Sequence, residues 1–400
     1  MMSASRGHMD MQGPAPHVGI IGGGQLGRMA TLAAHRLGVQ VTVLDPTPAC
    51  PAAAVGAGQV TAAFDDAAAV RALAERVDVL TYEIELADPR ILESVEGTPV
   101  HPDPATLRVI QDKHTQNGHL RSAGIATPRW TPIETAAELA AARDRFSGCV
   151  LKARRGGYDG RGVILLDDTW DDTAAIEAIG GAAIAEEVVP FERELSVIGV
   201  RGPDGIRTYH PSENIHHEGV LHTVVVPPRT DNTVIERATA TARRVIESLE
   251  GHGIFGIELF ESQAGEVMVN EVAPRPHNSG HWTIEAATCS QFANFIRAVL
   301  GWPTGATTLT HPVVMANLLA DVPAPTPASL GGVTPILQTP GAELHWYGKQ
   351  QARPGRKMGH ITLTELAADA DVGVDALLLD RVRMLAGGVT FNEAGERESS

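Results

Sequence analysis

Aromatic residues make up only 4% of this 400-residue chain, too few to build the stacking platforms that single-stranded nucleic acid requires. Positive charge is also in deficit. Lys and Arg number 32 against 48 Asp and Glu, a formal net charge of −16, which opposes a phosphate-backbone partner. The three cysteines, Cys50, Cys149 and Cys289, are odd in number and far apart. They supply neither a disulfide framework nor a zinc spacing, and are expected as free thiols in a reducing cytoplasm. No apolar run approaches the roughly 18 residues of a membrane span, and residues 1–16 lack the apolar segment of a signal peptide, so they read as a disordered extension. Neither nucleic acid nor membrane is an expected partner. What is present is a globular composition, 43% hydrophobic and 20% charged, in a chain long enough for two or three domains with cores of their own.

The first organised unit, 17–110, opens with an apolar run at 17–21 and then Gly22-Gly-Gly24-Gln25-Leu26-Gly27-Arg28-Met29. A helical pattern follows to Leu37, then Gly38 and a second apolar strand ending at Asp45. Gly22, Gly24 and Gly27 satisfy G-x-G-x-x-G in a strand–turn–helix–strand unit, the fingerprint of a dinucleotide site. Taken alone this spells NAD or FAD. Any Rossmann-like domain, however, needs glycines where a strand turns tightly into a helix, and many functions share the fold. A P-loop is excluded, because Arg28-Met29 stands where Lys and then Ser or Thr are required. A further strand at 77–81 ends in Tyr82, Glu83 and Glu85. At the carboxyl ends of parallel strands these would line one crevice with the glycine turn. Pro99, Pro102 and Pro104 mark the boundary.

The next unit, 111–308, carries Lys113 on a helical stretch at 106–124 and a strand at 149–153 bearing Lys152. Between that strand and the next, at 163–166, lies Arg154-Arg155-Gly156-Gly157-Tyr158-Asp159-Gly160-Arg161-Gly162. A glycine-rich loop joining strand to strand cannot offer a helix N-terminus to phosphate. It can fold over phosphates as a flap, its backbone amides approaching closely. Strands are expected at 182–189, with Glu186 and Glu187, and at 195–200, and a long amphipathic helix at 230–249. His216 sits between strands, where an isolated histidine is ordinarily structural.

Two strands around Ser262-Gln-Ala-Gly265 read as a hairpin. With those four residues as the loop, Glu258 faces Val269, and Glu271 is its diagonal neighbour on the same face at roughly 7–8 Å. Two carboxylates so placed can share one or two hard cations; facing each other without one they would be costly in an apolar hairpin. The strand runs on through Asn270-Glu271-Val-Ala-Pro-Arg275-Pro-His277-Asn278-Ser279-Gly-His281-Trp-Thr283. Two prolines forbid ordinary helix there, so a strand end bearing a carboxylate opens into a rigid, cation-bearing loop, suited to a metal beside an oxyanion. A helix should then run to Leu300.

The last unit, 309–400, reads as short strands and turns with an apolar helix near 374–385. It holds Lys349, Arg353, Arg356 and Lys357, the one dense basic cluster. In an acidic chain this suits an anchor for a sugar phosphate.

These motifs resemble the 5-(carboxyamino)imidazole ribonucleotide synthases, the purine-biosynthesis branch of the ATP-grasp superfamily. The most specific carriers are Gly156–Gly162, 270–283 and Arg353-Pro-Gly-Arg-Lys-Met-Gly-His360. The resemblance implies an α/β fold, α+β in its central part: a Rossmann-like N-terminal domain, an ATP-grasp domain of two subdomains and a small β-rich C-terminal domain. Such proteins are usually homodimers. Lys113 and Lys152 match phosphate contacts, and Gly157, Tyr158, Asp159, Gly160, Arg161 and Gly162 the phosphate flap. Glu186, Glu187 and Val189 match the adenine strand, Glu194 the ribose carboxylate and His216 a nucleotide-site histidine. Asn270 joins the ATP site, and Glu258 with Glu271 matches the Mg2+ ligands.

The implied reaction joins ATP, bicarbonate and 5-aminoimidazole ribonucleotide through carboxyphosphate. Arg275 is assigned to the oxyanion, His277 and His281 to proton transfer. Lys349, Arg356 and Lys357 would hold the ribonucleotide phosphate, with Gln25, Leu26, Tyr82, Glu83, Asn278 and Ser279 on the substrate side. Three alternatives stand beside this: a formate-dependent glycinamide ribonucleotide ligase of the same superfamily, an NAD- or FAD-dependent oxidoreductase, and a nucleotide-binding protein without turnover.

Overall fold

The computed structural model describes residues 15–157, 162–167, 169–364 and 376–391. Tyr158, Asp159, Gly160 and Arg161 of the flap lie outside the described residues, as does most of the N-terminal extension.

Four parallel strands form the first sheet, in the order Gly58–Val60, Gln40–Leu44, His17–Ile21, Val79–Tyr82. The apolar runs at 17–21 and 79–82 are buried almost throughout, as expected for parallel strands covered on both faces. Gly22 turns the first strand into the helix Gln25–Arg36 with φ +103, a conformation only glycine adopts freely.

A small antiparallel sheet follows, ordered Trp130–Ile133, Ala183–Glu187, Cys149–Ala153, Val163–Leu166. The helices Ala136–Arg145 and Asp172–Ile179 cover it, burying Ile133, Leu139, Phe146, Leu151 and Ala175 in one cluster. The larger sheet is antiparallel and runs Val267–Ala273, Gly253–Ser262, Phe191–Gly202, Ser212–His217, Val220–Val226, Val313–Leu319, Lys357–Thr364, Ala342–Trp346. The last three strands come from beyond residue 308, so the C-terminal segment extends the central sheet, and it adds a small two-stranded sheet of Thr326–Pro327 and Gln351–Ala352. The helix Asn232–Ser248 packs across it through Val234, Ala238, Ala242, Val245 and Ile246, the spacing of a single apolar stripe. Among the described residues no helix is long and apolar enough to cross a membrane.

Three local expectations are corrected. The helical stretch at 106–124 is two helices, Pro104–Ile110 and Lys113–Ser122, because Asp112 accepts from the amides of His114 and Thr115 at 3.0 and 3.3 Å and caps a new start. The helix after Thr283 also breaks: Thr283–Ala286 stops, and Ser290 caps Gln291–Val299. Asn214 to His217 lie within the strand Ser212–His217, not between strands.

Candidate active site

Strand alternation puts alternate residues on one face, and the large sheet uses it to sort carboxylates from core. Leu195, Val197, Ile257 and Leu259 point into the helix-covered core. Glu194 and Glu258 belong to the opposite face of the same strands, Glu258 facing Ser196 across the ladder. The hairpin register differs from the one expected. Leu259 pairs with Val269, Glu258 pairs with Glu271, and the ladder shifts between Glu258 and Leu259. Asn270 is the extra residue of a β-bulge. Without it Val269 and Glu271 would share a face; with it Val269 is fully buried in the core while Glu271 turns to the carboxylate face. The two glutamates are thus directly opposite, roughly 5 Å apart at the backbone. Bulges next to active sites re-aim side chains in this way.

Two lysines close over the pair. Lys113 Nζ reaches Glu271 Oε2 at 2.8 Å. Lys152 Nζ bonds Asn270 Oδ1 at 3.0 Å and Glu186 Oε2 at 2.5 Å. Glu186 faces Val150, two residues from Lys152 on the adjacent strand, and its other oxygen accepts from Asn117 at 3.1 Å. Burial and then the charge of Glu271 push the Glu258 carboxyl up, whereas Lys113 holds Glu271 below its usual range in spite of burial. Lys113 is in turn held above its usual value by Glu271, against the effect of burial. At the far side of the face His216 Nδ1 lies 3.1 Å from Glu194 Oε2; this carboxylate outweighs desolvation and raises the imidazole. Glu187 ends its strand and pairs with Arg129 at 2.6 Å. Val189 follows that strand, its carbonyl accepting from Phe191 N at 2.9 Å. Gly157 and Gly162 mark the described ends of the flap, and Gly162 O accepts from Ala153 N at 2.8 Å.

The loop after Glu271 divides the expected residues. His277 Nε2 approaches Glu258 Oε1 at 3.4 Å, and its Nδ1 pairs with Ser279 Oγ at 2.8 Å. Arg275 Nε bonds Glu85 Oε1 at 2.7 Å and Nη1 donates to Pro276 O at 3.1 Å. Three assignments are corrected. Ser279 is fully buried and serves the His277 ring. Asn278 exchanges amide hydrogen bonds with Asn317 at 3.0 and 2.7 Å, and is consumed in that buried pair. His281 is fully buried, 4.8 Å from the His360 ring and 5.6 Å from Phe292; desolvation drives it far below its usual value. It stays neutral and inside, away from exchange with solvent.

At the glycine turn, the amides that would hold a pyrophosphate are already bonded. Gly23 N donates to Asp45 Oδ2 at 2.9 Å and Gly24 N to Glu83 Oε1 at 2.8 Å. A Cβ on Gly22 would lie 2.7 Å from Glu83 Cγ, so the glycines make room for an internal carboxylate, and the dinucleotide reading fails on this geometry. Glu83 is buried, and desolvation raises it to about 7. Leu26 and Tyr82 are also corrected: Leu26 is core, and the fully buried Tyr82 ring packs with Ile21, Leu44 and Leu107. Gln25 is half-buried at the first position of its helix.

The basic hairpin comes back toward the site. The charge of Lys357 is felt at His216 and at His281. Lys349 Nζ donates to Lys357 O at 2.6 Å, and Arg356 Nη1 to Gln351 O at 2.8 Å. Sequence reasoning gave no role to Asp112, Gln291 and Asn317, a helix cap and two buried amides with no motif around them, or to Arg154 at the start of the glycine-rich loop.

The donor chemistry suits a hard dication. Glu258 and Glu271 face each other, and burial, then the charge of Glu271, raises the Glu258 carboxyl. Among the described residues no group of three or more His, Cys, Asp or Glu forms an all-protein cage, which fits an ion that takes one or two carboxylates together with substrate phosphates and water.

Comparison with known proteins identifies the family. Residues 16–111 match the ribonucleotide synthetase preATP-grasp domain, 118–292 the ATP-grasp domain, and 313–370 the phosphoribosylaminoimidazole carboxylase C-terminal domain. The chain is 41% identical to an N5-carboxyaminoimidazole ribonucleotide synthase of Brucella melitensis, covering 87% of this chain and 96% of that one. A Bacillus subtilis protein of the same description is 38% identical over 89% and 93%. The crystal structure of the Thermotoga maritima synthetase superposes with a TM-score of 0.82 at 38% identity, covering 94% of this chain and 99% of the other. An Aspergillus clavatus synthase in complex with ADP and 5-aminoimidazole ribonucleotide gives 0.84 at 33% identity, over 94% and 99%. This chain belongs to the N5-carboxyaminoimidazole ribonucleotide synthases, within the ATP-grasp superfamily.

Proposed function

We propose that the chain carboxylates 5-aminoimidazole ribonucleotide with bicarbonate at the expense of ATP, giving 5-carboxyaminoimidazole ribonucleotide, ADP and phosphate. The observation that carries this reading is the direct pairing of Glu258 with Glu271 beneath Lys113 and Lys152. Phosphoryl transfer needs little covalent help from a protein and is accelerated by positioning and charge neutralisation. Mg2+ held by Glu258 and Glu271 would supply Lewis-acid neutralisation of the phosphates. Lys113 and Lys152 would take phosphate oxygens, with Glu186, Glu187 and Val189 along the adenine and Glu194 and His216 near the ribose.

Bicarbonate would attack the γ-phosphate on the Arg275 side, where a planar guanidinium suits carboxyphosphate. Breakdown to carbon dioxide and phosphate leaves the substrate's 5-amino group to capture the carbon. His277, beside Glu258 and open to the site, is the group that moves the proton. Lys349, Arg356 and Lys357 would hold the 5′-phosphate of the ribonucleotide. The proposal includes units at 17–110, 111–308 and 309–400, a cytoplasmic location and a homodimer; light scattering reporting only a 42.3 kDa species would remove the last point.

The test measures ADP release with bicarbonate plus 5-aminoimidazole ribonucleotide against formate plus glycinamide ribonucleotide. Stimulation by the second pair alone would overturn the reading. Arg275→Ala is expected to lower turnover by at least about a hundredfold, in the range of lost oxyanion donors, with ATP still binding.

A further inference from the structure

We infer that Gln291 is a positioning residue that sets His277 against Glu258, an inference that rests on the reaction proposed above. Gln291 stands at the first turn of the helix Gln291–Val299, outside every motif of the sequence, and is fully buried. Its side-chain amide pairs with the backbone of one residue in both directions. Nε2 donates to His277 O at 2.8 Å, and Oε1 accepts from His277 N at 3.0 Å. Its own backbone amide donates to Thr283 Oγ1 at 3.0 Å, which ties the helix start to the far end of the same loop.

The loop needs such a clasp. Pro274 and Pro276 have no amide to give, so the chain cannot continue the ladder that ends at Ala273. A buried backbone amide and carbonyl left unpaired are rare and costly, and Gln291 satisfies both groups of His277 as a neighbouring strand would. Packing fixes the remaining freedom. A Cβ on Gly256 would lie 2.6 Å from the Cβ of His277, and a Cβ on Gly280 would lie 2.9 Å from Gln291 Cδ. Glycine at both positions lets the histidine and the glutamine close on each other. With its backbone clasped and Nδ1 paired to Ser279 Oγ at 2.8 Å, His277 has Nε2 directed at Glu258. Gln291 also lies 3.3 Å from His281 Nδ1, so one amide orders both histidines of the loop.

The experiment uses the full-length enzyme and Gln291→Met, of similar length but unable to pair. Turnover with saturating ATP and bicarbonate and varied 5-aminoimidazole ribonucleotide should fall in kcat by about tenfold or more, the effect of a small misplacement of a reacting group. Affinity for Mg–ADP, read by calorimetry, should stay within about twofold, since Lys113, Lys152 and Glu271 do not touch Gln291. The double variant Q291M/H277A should be no slower than H277A, because both changes act through one residue. A kcat within twofold of wild type, or multiplicative losses in the double variant, would overturn the inference. The imidazole nitrogen resonances of His277, assigned by their loss in H277A, report the same placement without turnover, and unchanged resonances in Q291M would also overturn it. A wild-type enzyme that ignores bicarbonate and aminoimidazole ribonucleotide defeats the proposed reaction instead, and leaves the resonance test standing. Should Q291M not fold, Gln291→Asn keeps an amide one methylene too short, and wild-type resonances and kcat there would count against the role.

Discussion

Replacing Glu83 with Gln should stabilise the protein above neutral pH and flatten its pH dependence. The Glu83 carboxyl is 7% exposed, and desolvation lifts it from 4.5 to about 7, against the pull of the Gly24 amide and of Arg275. A carboxyl whose folded value exceeds its unfolded one binds its proton more tightly in the native state. Its contribution is therefore full below the unfolded value and is lost as pH rises through the folded one. The difference, 7 minus 4.5 or 2.5 units, amounts to about 3 kcal/mol at 1.36 kcal/mol per unit. Roughly 2–3 kcal/mol of that loss falls between pH 5 and pH 8, or roughly 5–10 °C in the transition that includes the N-terminal unit. Glutamine retains a carbonyl oxygen for Gly24 N and cannot ionise. Thermal unfolding of both proteins, followed by circular dichroism from pH 5 to pH 8, isolates Glu83 in the difference between the two profiles. Parallel profiles would refute the reasoning.

Two further changes test the scaffold of the nucleotide lysines and of the loop. Arg154 grips Asp112 with three hydrogen bonds, at 3.0 and 3.2 Å through Nε and 2.7 Å through Nη2, and its carbonyl accepts from Lys113 N at 2.9 Å. Arg154→Ala should cost about 2–4 kcal/mol by leaving a buried carboxylate poorly paired, measured in urea. Because burial is outweighed by Arg154 and Asp112 stays below its usual range, the gap to wild type should be present above pH 4 or so and close in stronger acid. A variant equal to wild type at pH 7 would sink this account. Asn317→Leu breaks the paired amides with Asn278 and the bond to Leu221 O at 2.8 Å, and is expected to destabilise by about 1–3 kcal/mol; a shift below 0.5 kcal/mol in the same assay argues that the pair is dispensable.

The elements themselves were largely legible. Period-two runs and glycine–proline punctuation located the strands Cys149–Ala153 and Val163–Leu166 to the residue, because flanking turns left little choice. The paired glutamates were legible as a pair and misread in register. Glu261 pairs with Val267, so the loop is five residues, not four, and the bulge at Asn270 then displaces the pairing once more; nothing in V-M-V-N-E announces either. Polar groups near a strand end or in a loop invite a functional reading, substrate contacts for Tyr82, Asn278 and Ser279 and proton transfer for His281. The fold buries all four: Tyr82 in an apolar cluster, Asn278 against Asn317, Ser279 beneath the neighbouring His277 ring, and His281 beside the tilted His360 ring. Partners of that kind lie 39 residues apart for Asn278, beyond any local pattern. The glycine turn was the reverse case. Its fingerprint was real, but the ligand of its amides is Glu83, 59 residues away in the chain.

The same substitution of an internal carboxylate for a ligand recurs through the site, and it explains how a chain of net charge −16 can gather several anions. Lys113 is held by Glu271, Lys152 by Glu186 and Arg275 by Glu85. Each cation is thereby desolvated and aimed before a substrate arrives, at positions where an unpaired cation would be costly. Binding then exchanges ion pairs more than it creates them, so affinity depends on what relieves the displaced carboxylate. At Glu271 that relief has a structural source. Glu271 faces Glu258, whose own carboxyl is already driven upward by burial and then by the charge of Glu271, and a dication between them would remove their repulsion while leaving the Lys113 ammonium to phosphate oxygens. Metal and nucleotide should therefore bind cooperatively, because a single displaced ion pair links them. The bulge at Asn270 makes that linkage possible: it turns Glu271 out of the core to face Glu258 and Lys113 together.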